Sequence, residues 1–341
     1  MEKIPVAIVG LGRIASLLEE DSRREKPCTH AGAVAADRNC VLAAGCDIDE
    51  KRRRLFAGRW HVPVYANASE MLREHRPGIL IVATHPDSHR RYCSLARSGG
   101  VPVAVCEKPL ANTLAAARNI ASLAGGASGQ GPLRILVNHE RRYSADYMRA
   151  KELLESGRLG EPLSVRGVLY MGGGRLIDVL WHDGTHLVDA LMFLSGAVLR
   201  HDRAWGSPLK AKEGTAYLAG TLIPGGEGGN RPGRGKPLPC MIELGARRDH
   251  LVFEMEFSCR AGRLRIGNGV YEVWESGDCP YAEGFRSLVP ARDRFRGRTG
   301  YFSSMIADAV NCVRNPALQP RSSALAALRV MEYLDAVKNQ R

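Results

Sequence analysis

In the N-terminal part of the chain, apolar stretches short enough to be strands alternate with amphipathic ones. Residues 6–9, 41–46, 79–83, 101–105 and 133–137 are nearly continuous apolar runs closed by glycine, proline or polar residues. That is the pattern of strands buried on both faces. Helical segments are predicted over 12–18, from 69, over 91–98 and over 113–123. Strand–helix alternation of this kind predicts a parallel, doubly wound α/β sheet. One stretch breaks the rhythm: residues 19–30, EEDSRREKPCTH, are polar, contain Pro27 and delay the second strand. They read as an inserted loop, and Cys28 and His30 fit a surface loop better than a site lining.

The second half has another period. Residues 144–154 predict a helix, and 163–170 alternate as a half-buried strand does. After an apolar helix ending at Gly196, strands are predicted at 216–222, 240–246, 251–257, 262–266 and 270–274. With no helices between them they fit an open, mostly antiparallel sheet. Residues 125–131 read as a glycine-serine linker and 224–239 as a mobile hairpin loop rich in glycine, proline and basic residues. Two apolar stripes close the chain: Tyr301, Phe302, Met305, Ile306, Ala309, Val310 and Val313, then Leu325, Leu328, Met331 and Leu334. They read as core helices. The predicted division is a dinucleotide-binding domain over 1–137 and a substrate-binding and oligomerisation α/β domain over 138–341, with helices within 301–338 packing back on the core.

Candidate chemistry begins at the first strand's end, Gly10-Leu11-Gly12-Arg13-Ile14-Ala15, a G-x-G-x-x-A turn. Gly10 permits the tight turn, Gly12 lets the backbone approach a pyrophosphate, and Ala15 allows close helix–strand packing. The amides from Gly12 through Arg13 and Ile14 then face the phosphates. Asp47 ends the second strand, where a carboxylate accepts from both ribose hydroxyls and repels a 2′-phosphate. This favours NAD, while the adjacent Lys51, Arg52 and Arg53 leave NADP possible. The fourth strand runs into Thr84-His85-Pro86-Asp87-Ser88-His89 and the fifth into Glu107-Lys108-Pro109. Both loops lie where open α/β sheets bind ligands, so Thr84, His85, His89, Glu107 and Lys108 are candidate cofactor contacts.

Charge and composition change the picture little. Of 341 residues, 45% are hydrophobic and 25% charged, as in ordinary globular proteins. The net charge of +12 comes in scattered groups without a basic helix, zinc spacing or aromatic stacking motif, so no nucleic-acid partner is expected. An anionic small-molecule substrate fits the basic excess. No apolar run is long enough to cross a bilayer, and no signal peptide is expected before the first strand. Nine scattered cysteines without a C-x-x-C pair suit a reducing cytoplasm.

In order along the chain stand GLGRIA at 10–15, CDID at 46–49, ATHPDSH at 83–89, CEKPLA at 106–111, NHERRYSADY at 138–147 and GTHLVDALMFLSG at 184–196. With these the chain resembles the glucose–fructose oxidoreductase/inositol dehydrogenase/MocA (Gfo/Idh/MocA) family over nearly its whole length. The resemblance implies an N-terminal Rossmann domain and a C-terminal α/β domain with an open sheet that commonly buries its face against a second subunit, giving a homodimer or homotetramer. It implies a nicotinamide cofactor and hydride transfer at a carbinol carbon of a sugar, cyclitol or related polyol. Lys108 matches the lysine that contacts cofactor and substrate and aids proton transfer. Asn138 and Arg142 fall where the family keeps substrate-side polar residues.

The family's aspartate–histidine pair can be set here in two registers. Counting from the triple glycine at 172–174 gives Asp178 and His182; counting back from the apolar helix gives His186, with Gly184 in its expected place. The second is preferred, since its downstream match is unbroken. His186 is then the base, His182 stands where the family has aspartate, and Asp183 or His182 is the partner that fixes the imidazole tautomer. On one continuous helix both would share a face with His186. Without a third ligand at suggestive spacing, no metal is expected. Two other readings stay open: a non-catalytic dinucleotide-binding protein, and a hydrolase using tightly held NAD for transient oxidation.

Overall fold

A computed structural model describes residues 2–124, 133–225 and 236–340. The linker expected at 125–131 and most of the loop expected at 224–239 lie outside the described residues. The chain divides into two compact units, Met1–Ser144 with Arg298–Met331, and Ala145–Gly297 with Glu332–Arg341.

The first unit is built on β1 (Ile4–Val9), α1 (His30–Ala36), β2 (Cys40–Cys46), α2 (Glu50–Trp60), β3 (Val64–Tyr65), α3 (Ala68–His75), β4 (Ile79–Val82), α4 (His89–Ser98), β5 (Val103–Cys106), α5 (Leu114–Leu123) and β6 (Arg134–Val137). The strands form one parallel sheet in the order β3-β2-β1-β4-β5-β6. This is the doubly wound order, whose switch point lies between β1 and β4. β4, β5 and β6 are buried at all four positions, because helices cover both faces.

The helix predicted at 12–18 is instead a single helical turn followed by a short 3₁₀ segment, Leu17–Glu20. The helix proper resumes as α1, and its first amides bond back across the insertion: His30 N to Ile14 O at 3.1 Å and Ala31 N to Ala15 O at 2.9 Å. The inserted loop is well tied. Lys26 Nζ donates to the carbonyls of Glu19 and Asp21 at 2.6 and 2.8 Å. The Glu19 carboxylate accepts from Thr29 Oγ1 at 2.6 Å, and Thr29 in turn caps α1 by accepting from Gly32 N. Glu25 reaches to the late part of this unit, accepting from Thr299 N, Thr299 Oγ1 and Gly300 N at 2.9–3.0 Å.

The second unit runs α6 (Ala145–Glu155), β7 (Pro162–Tyr170), α7 (Leu176–His182), α8 (Gly184–Ser195), β8 (Ala197–Gly206), β9 (Gly214–Pro224), β10 (Leu238–Ala246), β11 (Val252–Cys259), β12 (Gly262–Gly267), β13 (Val270–Asp278) and β14 (Arg286–Pro290). Its eight strands are ordered β14-β13-β12-β11-β7-β10-β9-β8, with every pairing antiparallel except β10–β7. One face is apolar: β11 alternates strictly, burying Phe253, Met255, Phe257 and Cys259. The other carries ion pairs such as Arg265–Glu254 and Arg166–Glu243. Two helices end the chain, α9 (Tyr301–Arg314) and α10 (Ala324–Asn339). Phe302, Met305, Ile306 and Val310 of α9 are buried in the core of the parallel sheet; each such side chain contributes about 1.5–3 kcal/mol.

Candidate functional site

The first unit gathers most candidate residues along one edge of its sheet. Backbone hydrogen bonds step across the strand ends: Ala83 N to Val9 O, Glu107 N to Val82 O and Asn138 N to Cys106 O, all 2.8–2.9 Å. Gly10, Ala83, Glu107 and Asn138 therefore stand in one row at the carboxyl ends of β1, β4, β5 and β6. Neighbouring strands lie about 4.8 Å apart, so Lys108 is only two strands from the glycine turn.

The turn fits a pyrophosphate. Gly10 has φ +85°, and a Cβ there would lie 2.6 Å from Ala83 O, so only glycine serves. At Gly12 a Cβ would meet one atom, Arg52 Nη1 at 3.8 Å. The N–H groups of Gly12, Arg13 and Ile14 go to no acceptor among the described residues. Three successive open amides form a concave anion seat of the kind dinucleotide sites use. Arg13 is exposed and Ile14 half-buried.

Asp47 is 6% exposed. Its Oδ2 accepts from Leu11 N at 2.7 Å and its Oδ1 from Asp49 N at 2.9 Å. The carboxylate thus tethers the glycine turn and retains further lone pairs for a ribose diol. Arg52 Nη1 stands 3.7 Å from Asp47 Oδ2, a cation beside the turn that the sequence reading grouped only with its neighbours.

Behind Lys108 lies a sealed polar cluster. Glu107 Oε1 accepts from Asn138 Nδ2 at 2.6 Å and faces His30 Nε2 at 2.7 Å, while Oε2 accepts from Lys108 N at 3.2 Å. Burial pushes the Glu107 carboxyl up, but hydrogen bonds and charge from His30, with Asn138 and Lys108, outweigh it and hold it below the usual carboxylate range. Glu107 is therefore ionised and acceptor-only, so His30 Nε2 donates. The ring of His30 also packs edge-on to Phe302, 5.2 Å between centroids. The surface-loop reading of Cys28 and His30 is corrected here: both are fully buried, because the insertion folds inward. The available signal was local: Thr29 followed by the small apolar run HAGAVAA, a capped helix start.

The other candidates take defined places. His89 is fully buried, with Nδ1 3.2 Å from Leu110 O and Nε2 3.0 Å from Thr84 O; burial holds its pKa below the usual value. A neutral ring has one N–H, so it donates to one of these two carbonyls. Thr84 is half-buried and accepts from Ser88 Oγ at 2.7 Å, and His85 is exposed. Lys108 is half-buried. Arg142 Nη1 donates to Arg321 O at 3.1 Å, tying the tail to this unit.

In the second unit two helices, α7 and α8, meet at Asp183. His182 Nδ1 lies 3.2 Å from Asp183 Oδ2, and the imidazole is 74% exposed. His186 is 8% exposed, and its amide donates to Asp183 O at 3.0 Å. Asp183 touches both histidine residues, His182 by side chain and His186 by backbone.

Residues 4–130 match the GFO_IDH_MocA family, described as an oxidoreductase family with an NAD-binding Rossmann fold. An inositol 2-dehydrogenase from Pseudomonas fluorescens is 34% identical over 128 residues; the match spans 37% of this chain and 37% of that protein, so most of the relative's length is unmatched. A putative NADPH-dependent oxidoreductase from Desulfitobacterium hafniense shares the fold with a TM-score of 0.79 at 16% identity, covering 100% of this chain and 97% of that one. An oxidoreductase from Agrobacterium radiobacter in complex with NAD+, L-tartaric acid and magnesium has a TM-score of 0.69 at 18% identity, covering 98% and 95%.

Proposed function

The chain carries the NAD-binding Rossmann domain of the Gfo/Idh/MocA oxidoreductase family, and on that premise we propose that it transfers a hydride between NAD and a carbinol or ketone carbon of a sugar, cyclitol or related polyol. The observation that carries the reading is the seat of open amides at Gly12, Arg13 and Ile14 in one strand-end row with the loop that bears Lys108. The inositol 2-dehydrogenase match supports the substrate class.

NAD supplies or accepts the hydride when bound. The protein manages the rest. Gly12, Arg13 and Ile14 hold the pyrophosphate, and Asp47 the adenosine ribose. The Lys108 ammonium stabilises the alkoxide that develops as the hydroxyl proton leaves. His186 takes that proton, with Asp183 and His182 shaping its surroundings. Asn138 acts through Glu107, as a positioning residue. On this reading a second copy of the chain covers the outer face of the eight-stranded sheet, and sedimentation should find a dimer or tetramer.

The test is turnover against a panel of sugars and cyclitols, with cofactor binding followed by fluorescence. Lys108→Ala and His186→Ala should each lower kcat by about 10²–10⁴ while NAD affinity stays nearly constant. Unchanged turnover in both variants removes the proton assignment. NADH binding without turnover of any panel member would favour a non-catalytic role.

A further inference from the structure

The second unit holds an open cavity of about 690 Å³ lined by Gly172, Gly173, Gly174, Arg175, Lys212 and Arg247, with Asp178 at its wall. Its volume falls within the usual range of small-molecule sites. Its chemistry is cationic. Arg175 is occupied, held by Asp178 through Nε at 2.8 Å and Nη2 at 2.9 Å. Arg247 is loosely held: Glu213 lies 3.3 Å away, and both side chains are about 70% exposed, where an ion pair contributes only about 0–1 kcal/mol. No carboxylate among the described residues takes Lys212.

The glycines matter in a way packing does not explain. Gly174 has φ +83°, but a Cβ on Gly173 would meet nothing within 4 Å. Glycine at 173 instead leaves the backbone uncovered. The N–H groups of Gly172, Gly173 and Gly174 go to no acceptor among the described residues. Lys212, Arg247 and a run of glycines whose N–H groups are unspent among the described residues therefore line one space. A planar carboxylate would be met by a single guanidinium fork. Donors from several directions suit a tetrahedral oxyanion.

The geometry points to this cavity as the anchor for a phosphoryl group of the substrate. The assignment to substrate rests on the oxidoreductase reading; the anion site itself does not. His182 follows Asp178 by four residues on α7, about 6 Å along one helix face. An anchored phosphoryl group leaves the rest of the ligand to run along that face toward His182.

The test uses the full chain with saturating NAD+, which blocks the Gly10–Ala15 turn, and calorimetric titration with inorganic pyrophosphate at low salt. One site is expected. The double variant Lys212→Ala/Arg247→Ala should weaken it roughly tenfold or more. Gly173→Val, which covers the amides without a clash, should weaken it roughly fivefold at an unchanged Tm. Glu213→Gln should tighten it about twofold. Unchanged affinity in both weakening variants, or equal displacement by acetate, overturns the site. A hexose phosphate and a nucleoside diphosphate hexose then compete as separate arms: displacement by either supports the anchor and names its source, and displacement by neither overturns the assignment to substrate. No pyrophosphate binding by the parent chain, with intact dehydrogenase turnover, would count against the cavity alone. Retained anion binding without turnover of any sugar would count against the oxidoreductase reading alone.

Discussion

Two histidine–carboxylate pairs, one in each unit, are opposites in setting. His30 and Glu107 meet at 2.7 Å with side chains 0% and 9% exposed. His182 and Asp183 meet at 3.2 Å with side chains 74% and 29% exposed. The first is sealed among backbone and amide partners, so its charge serves the loop that carries Lys108. The second is open to solvent, its imidazole 74% exposed. An imidazole beside a carboxylate is thus a buried brace in one place and a solvent-exposed pair in the other.

The largest way to break this contrast is Glu107→Ala. It strands His30 Nε2 and Asn138 Nδ2 inside the first unit, and removing one partner of a buried pair costs about 3–5 kcal/mol. Urea unfolding should show that loss, with kcat falling as well. His30→Ala should cost about 2–3 kcal/mol, since Asn138 and Lys108 N still serve the carboxylate. Asp183→Ala, in the open pair, should change stability by about 0–1 kcal/mol and be read in turnover instead. A stability loss there equal to that of Glu107→Ala would erase the distinction.

Acidification sharpens it further. Glu107 is held below its usual pKa of 4.5, so its contribution is complete above that value and is lost as pH falls below it toward the depressed native pKa. Unfolding free energy should therefore drop below about pH 4.5, and Glu107→Gln should flatten that drop. A further effect concerns the cofactor. Asp47→Asn removes a charge facing a 2′-phosphate, and the NADP-to-NAD affinity ratio should rise roughly tenfold.

Much of the architecture was legible because it is local. Buried four-residue strands such as β4 and β5 announce themselves by composition, and the glycine turn by spacing. The strands missed in the second unit, β8 and β14, are the two edges of the sheet. Their sequences, AVLRHDRAWG and RSLVP, carry charges that edges tolerate and that blur the alternation. His30 was illegible as a site residue because its partner lies 77 positions away, and no local pattern encodes that meeting. The helix break at Asp183 was hidden for the converse reason: helical spacing continues through it, and one non-ideal backbone geometry divides the run. Arg247 belonged to one of the scattered basic groups, and nothing local joins it to Lys212, 35 positions earlier, with which it lines one cavity.

The interruption after Ala15 has an architectural consequence. Since His30 and Ala31 complete the hydrogen-bond column begun by Ile14 and Ala15, the intervening segment leaves and rejoins the helix almost where it departed. Its length is thereby uncoupled from the nucleotide seat upstream and from the helix downstream. Such a detour adds residues to the helix without shifting its axis, and that is how a residue outside the nucleotide turn comes to reach Glu107.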